Sequence, residues 1–159
     1  MFSGSRSGNR RERRGEEGGR MNKKFLFHFP NDIKELMRLA ARIRELDEYR
    51  SLTPRTCYIL DLALEEMATN IIKYGYDEAG MHIIEIEIEF SPRMLTLTLI
   101  DDGHAFDPLE APSPDEEATE EEREVGGVGI YLIRNMVRSM CYRREGNHNI
   151  LVITIDNEG

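Results

Sequence analysis

Two stretches of this chain alternate apolar and polar residues with a period of two. From His82 to Phe90 (HIIEIEIEF), Ile84, Ile86, Ile88 and Phe90 share one side and Glu85, Glu87 and Glu89 the other, and Leu95, Leu97 and Leu99 repeat the alternation up to Asp101. A strand points successive side chains to opposite faces, so this pattern predicts two half-buried strands. With Ser91-Pro92-Arg93 turning the chain between them, they form an antiparallel hairpin. Its isoleucines and leucines face a core, and its glutamate row is a solvated face rather than a metal site.

Elsewhere the period is close to 3.6. Ile59, Leu60, Leu64, Met67 and Ile71 form one stripe, which predicts a central helix from Pro54, with Thr53 as its cap, to about Tyr74. An earlier helix starts at Asn31 or Asp32, where Asp32 and Glu35 have capping-box spacing, and its stripe of Ile33, Leu36, Met37, Ala40, Ile43 and Leu46 runs to about Leu46. Its other face carries Lys34, Arg38, Arg42 and Glu45. Ile130, Leu132, Ile133, Met136, Val137 and Met140 mark a further helix. Lys23 to Phe29 suits an edge strand, and the strands Tyr142 to Arg144 and Ile150 to Ile155 flank a turn at Glu145-Gly146-Asn147. The expected fold is α+β, a two-layer sandwich with a mixed, mostly antiparallel sheet and helices on one face.

Between Gly103 and Gly127 periodicity is lost. Pro108, Pro112 and Pro114 interrupt the stretch, and Asp115, Glu116, Glu117, Glu120, Glu121, Glu122 and Glu124 dominate it. A loop of this length inside a small domain is usually functional, and a lid is expected here.

At 159 residues the chain has room for one domain with a real core. Its net charge of −9 is uneven: residues 1 to 20 carry +3 and the remainder −12. The first 22 residues, rich in Gly, Ser and Arg, lack the apolar surface needed to fold and are expected to be a disordered basic extension, leaving residues 23–159 as the domain. An acidic body argues against general nucleic-acid affinity, since phosphate contacts come from Lys and Arg. No apolar run approaches the roughly 18 residues of a membrane span, and the amino terminus has no secretory core. A soluble, cytoplasmic protein is expected, with Cys57 and Cys141 as reduced core residues.

Three short motifs carry the chemistry. In EEMATNIIKYGY (Glu65 to Tyr76), Glu66, Asn70 and Tyr74 are four apart and stack on one helix face at the border of the buried stripe. Asp101-Asp102-Gly103 closes a strand: a carboxylate there can accept from an exocyclic amine, and Gly103 lets a flat ring approach the backbone, which suits adenine. Gly126-Gly127-Val128-Gly129 opens a helix and offers bare N–H groups to phosphate oxygens. Asn70 can give its amide oxygen to Mg2+, Lys73 supplies positive charge, and Glu66 can take a proton from an attacking hydroxyl. Together these are the parts of an ATP site.

The order EEMATNIIKYGY, LIDDGHAFDP, GGVGIYLIRNM resembles the N box and the two glycine boxes of the GHKL (histidine kinase-like) ATP-binding superfamily, whose Bergerat fold is the sandwich expected above. The ending GGVGIYLIRNMVRSMCYRREGNHNILVITID is most similar to the anti-sigma-factor serine/threonine-protein kinases of bacterial partner switching, and the likeness extends from Lys23 to Asp156. It implies Asn70 for Mg2+, Glu66 as base, Asp101 and Gly103 at adenine, Gly127, Val128 and Gly129 at the lid hinge and phosphates, and a sigma factor and an antagonist protein as partners of a homodimer. This chain has Tyr74 where such kinases often carry His, so that Lys73 and Tyr74 are expected at phosphate and ribose, and Arg123 alone is a clear anion-binding residue of the lid. Two other functions use the same parts: a non-catalytic ATP-binding regulatory module, and a detached histidine-kinase catalytic domain.

Overall fold

The computed structural model describes residues 22–110 and 127–158. The lid residues 111–126, Arg123 among them, and all of the expected extension except Asn22 lie outside this range.

Among the described residues five strands form one sheet in the spatial order β1-β2-β3-β5-β4: β1 (Lys23–Pro30), β2 (Ile83–Phe90), β3 (Met94–Asp101), β4 (Ser139–Glu145) and β5 (His148–Asp156). Every pairing is antiparallel. The expected hairpin is β2–β3, with Ile86 opposite Leu99 and Ile88 opposite Leu97. Ile84, Ile86, Ile88, Leu95, Leu97, Ile153 and Ile155 are fully buried on one face. Burial of each such side chain contributes about 1.5–3 kcal/mol, which makes this face the main source of stability.

The opposite face explains the glutamate row. Glu87 lies 3.1 Å from Lys24 Nζ, and Glu85 lies 2.9 Å from His28 Nε2. The outward residues of β1 therefore complement those of β2, and Glu87, with Glu89 behind it, raises the Lys24 ammonium above its ordinary value. Among the described residues no three His, Cys, Asp or Glu side chains cluster as metal ligands.

Helices α1 (Ile33–Arg44), α2 (Asp47–Arg50), α3 (Pro54–Tyr74) and α4 (Gly127–Met136) accompany the sheet, and the apolar stripes of α1, α3 and α4 pack into its buried face. Asp32 caps α1 by accepting from Lys34 N at 2.8 Å. The reciprocal half of the capping box is absent: Glu35 bonds Arg38 at 2.7 Å, and the Asp32 N–H donates to the Pro30 carbonyl. Thr53 caps α3 as expected, accepting from Thr56 N at 3.2 Å, with Pro54 at the first position.

Two expectations need correction. The last helix ends at Met136 and the chain is in β4 from Ser139, although the apolar pattern runs on to Met140. Met140 packs against the core from a strand, a placement that satisfies the same apolar residue as a helix would. The cysteines are free thiols, but Cys57 is only half-buried and Cys141 is exposed on β4. A 3-10 turn at Pro108–Glu110 follows β3 on the way to the lid.

Candidate functional site

The inward rows of β3 and β5 end in polar residues. Leu95, Leu97 and Leu99 lead to Asp101, and Ile155, Ile153 and Leu151 lead to Asn149, all buried, with Asp101 directly opposite Asn149 in the register. A buried carboxylate and a buried amide need partners, and these two meet each other: Asn149 Nδ2 donates to Asp101 Oδ1 at 3.0 Å. Asp101 Oδ1 also accepts from the Gly103 N–H at 2.9 Å.

The segment after β3 is pinned from several directions. His104 N donates to the Gly75 carbonyl at 2.9 Å, tying the loop to the carboxyl end of α3. Arg144 Nη1 donates to Gly103 O at 2.9 Å, and Asn149 Nδ2 to His104 O at 2.9 Å. A Cβ on Gly103 would collide with the Gly75 carbonyl oxygen, so only glycine permits this approach.

Above the Asp101–Asn149 pair lies a cavity of about 200 Å³. Met67, Ile71, Leu99 and Leu151 give it apolar walls, Asn70, Tyr74 and Asp101 contribute polar ones, and His104, Phe106 and Pro108 close the loop side. An apolar slot with a few placed polar groups is the usual form of a small-molecule site. Asn70 is buried, yet its Nδ2 has no hydrogen-bond partner among the described residues. An orphan amide at a cavity wall is costly, about 1–3 kcal/mol.

Glu66 sits one turn before Asn70 on α3 and is half-buried. Its carboxylate lies against the first turn of α4, where a Cβ on Gly129 would overlap it. The helix start and the carboxylate can be neighbours only because residue 129 has no side chain. Near the other end of the site the Tyr76 ring stacks on His82, 4.1 Å between centroids, and the Tyr76 hydroxyl is buried without a partner. Burial, and then the charges of Asp101 and Asp102, push the Tyr76 phenol well above its usual range.

Of the residues singled out in the sequence, Asn70, Tyr74 and Asp101 line one cavity, with Gly103 bonded to Asp101 at its rim. Glu66 and Gly129 form a second contact on the same helix. Val128 is exposed at the start of α4 and is not among the residues that line the cavity. Lys73 is exposed and does not line it either. Sequence reasoning passed over Asn149, Tyr142 and Arg144. Asn149 had a signal: it is the one polar residue at an inward position of an otherwise apolar alternation, mirroring Asp101. Tyr142 and Arg144 had none, because their roles depend on the β4–β5 pairing.

The donor set fits a hard cation of few protein ligands. The orphan atom at the cavity wall is the Asn70 Nδ2 donor, so Asn70 would hold the ion through the oxygen of the same amide in the opposite orientation, and Mg2+ keeps several waters and takes its remaining ligands from phosphates rather than from a cage of carboxylates.

A sheet covered on one face by helices, with a cavity between the central helix and a strand-end carboxylate, is the frame of a nucleotide-binding ATPase domain. The chain belongs to the histidine kinase-like ATPase domain family, whose model matches residues 29–155. It is similar to Serine/threonine-protein kinase BtrW of Bordetella bronchiseptica, with 27% identity over 100 residues that cover 63% of this chain and 70% of that protein. Among solved structures it is similar to the histidine kinase AdeS of Acinetobacter baumannii, at 15% identity and a TM-score of 0.45, over 89% of this chain and 71% of that one. Among the described residues no helix is long and apolar enough to cross a membrane.

Proposed function

We propose that this protein is an ATP- and Mg2+-dependent anti-sigma-factor serine/threonine-protein kinase, acting in the cytoplasm as a homodimer, that binds a sigma factor and phosphorylates a serine on the factor's antagonist. The observation that carries the reading is the line Glu66, Asn70 on α3: a carboxylate against the first turn of α4, one turn from a buried amide whose Nδ2 has no partner among the described residues, at the wall of a cavity based on Asp101. The resemblance of the carboxyl-terminal sequence to anti-sigma kinases and the similarity to a serine/threonine-protein kinase supply the acceptor class.

In this reading Asp101 accepts the exocyclic amine of adenine, and Gly103 leaves room for the ring. Tyr74 and Lys73 serve the ribose and phosphates, and the amides of Gly127, Val128 and Gly129 cover the phosphate oxygens at the helix start. Asn70 would hold Mg2+, which neutralises charge on the transferring phosphoryl group. Glu66 accepts the proton of the seryl hydroxyl as the seryl oxygen bonds to the γ-phosphorus and the bond to ADP breaks. Positioning and charge neutralisation do the rest.

The test is incubation with γ-labelled ATP and a candidate antagonist. Label on an antagonist serine, lost in Glu66→Gln while ATP still binds, is the expected result. Tight ATP binding with no transfer to any antagonist would instead describe a non-catalytic partner-switching module, and label that is acid-labile on a partner histidine would describe a detached histidine-kinase domain.

A further inference from the structure

The two oxygens of Asp101 are not equivalent. Oδ1 accepts from Gly103 N at 2.9 Å and from Asn149 Nδ2 at 3.0 Å, which uses both of its lone-pair directions. Oδ2 makes no hydrogen bond among the described residues, and Asp101 lines the cavity. Asn149 cannot release Oδ1 by turning over. Its Nδ2 faces acceptors, Asp101 Oδ1 and the His104 carbonyl, and its Oδ1 faces donors, the Tyr142 hydroxyl and Arg144 Nη1 at 3.0 Å. A flipped amide would set oxygen against the Asp101 and His104 oxygens and N–H against the Arg144 guanidinium, in a residue only 6% exposed.

We propose that Asn149 is a positioning residue that sets base selectivity, by committing Asp101 Oδ1 and leaving the carboxylate one free acceptor edge. This rests on the nucleotide reading above. Adenine presents a single amine beside a bare ring nitrogen, and one acceptor oxygen satisfies it. Guanine presents two N–H donors side by side, at N1 and the 2-amine, a fork whose complement is a carboxylate with both oxygens open. With Oδ1 taken, the second donor of guanine meets no open carboxylate oxygen, which disfavours it. Arg144, from outside the cavity, and Tyr142, on its wall, hold the amide of Asn149 in register.

The experiment measures binding of ATP, GTP and ITP, each with MgCl2, to the full chain by calorimetry or displacement of a fluorescent nucleotide. ITP has the N1–H of GTP and lacks the 2-amine, so it isolates the second donor. For the wild type, ATP should bind at least about tenfold more tightly than GTP, and GTP no more than about threefold more tightly than ITP, because the 2-amine finds no open oxygen. In Asn149→Ala the advantage of GTP over ITP should rise about tenfold and the preference for ATP fall by a similar factor. Wild-type protein binding GTP about tenfold tighter than ITP would overturn the proposal without recourse to any variant. So would an Asn149→Ala protein that weakens all three nucleotides equally, which marks a structural role alone. If the wild type bound no nucleotide, the ATP reading itself would fall; ATP bound with both ratios unmoved removes only the part assigned to Asn149.

Discussion

The two ends of α3 treat buried polar groups in opposite ways. At its amino end the buried polar side chain is matched: Thr56 Oγ1 donates to the Asp156 carbonyl at 2.9 Å, Thr53 caps the helix, and the Thr53 N–H donates to Asn157 Oδ1 at 3.1 Å. These bonds stitch the start of the helix to the end of β5, beside buried Ile59, Leu60 and Ala63. Toward the carboxyl end the Asn70 amide and the Tyr76 hydroxyl are buried with no partner among the described residues, and a cavity opens beside them. One end is arranged to hold the fold together; the other keeps polar groups without partners among the described residues beside a cavity. The contrast teaches where stability and function separate on a single helix, and it can be broken by substitution.

The largest effect should come from Glu66→Gln. Loss of the proposed general base should lower phosphoryl transfer about 10²–10⁴-fold, with ATP affinity and unfolding midpoint unchanged, measured by transfer of label to a candidate antagonist. Next, Ile59→Ala at the matched end should cost about 2–5 kcal/mol in denaturant unfolding while the folded protein still binds ATP. Asn70→Ala should do the reverse: Mg-ATP affinity falls about tenfold or more, while stability holds or rises by up to about 1–3 kcal/mol, because Nδ2 has no hydrogen-bond partner among the described residues. Were Asn70→Ala to destabilise as much as Ile59→Ala, the two ends would not differ as described. Thr53→Ala should cost about 1 kcal/mol through loss of the cap, with no change in nucleotide binding.

The smallest effect is in pH. The Tyr76 phenol has a raised folded-state pKa, from burial first and the Asp101 and Asp102 charges second, so the folded protein holds this proton more tightly than the unfolded chain does. Its contribution is fully present below the ordinary phenol range near pH 10 and is lost as pH rises beyond it. Stability should therefore decline above about pH 10, and less steeply in Tyr76→Phe, as followed by circular dichroism across alkaline buffers. An identical slope in the variant would show that the decline comes from elsewhere, Tyr49 being the other raised phenol.

Much of the site was legible because it lies within single elements. Glu66, Asn70 and Tyr74 are on one helix, so a spacing of four residues places them without knowledge of the fold. Asp101 and Gly103 belong to one strand end, and the alternation before them shows that Asp101 faces inward. The final helix was read too long because Val137 and Met140 are apolar, and a short apolar run does not say whether a helix or a strand buries it. Cys141 was assigned to the core on the same ground and is exposed, since neighbours on a strand point to opposite faces.

Local spacing by itself determined the hairpin, the three apolar-striped helices, the inward carboxylate and the Glu66–Asn70 line, because periodicity and capping act between residues a few positions apart. Tertiary structure alone decided that Asn149 would hold one oxygen of Asp101, that Tyr142 and Arg144 would hold Asn149, and that Gly129 would bring α4 against Glu66. Asp101 and Asn149 are 48 positions apart, and Glu66 and Gly129 are further still. Contacts between residues so distant in sequence follow from strand register and helix packing, which no local pattern encodes.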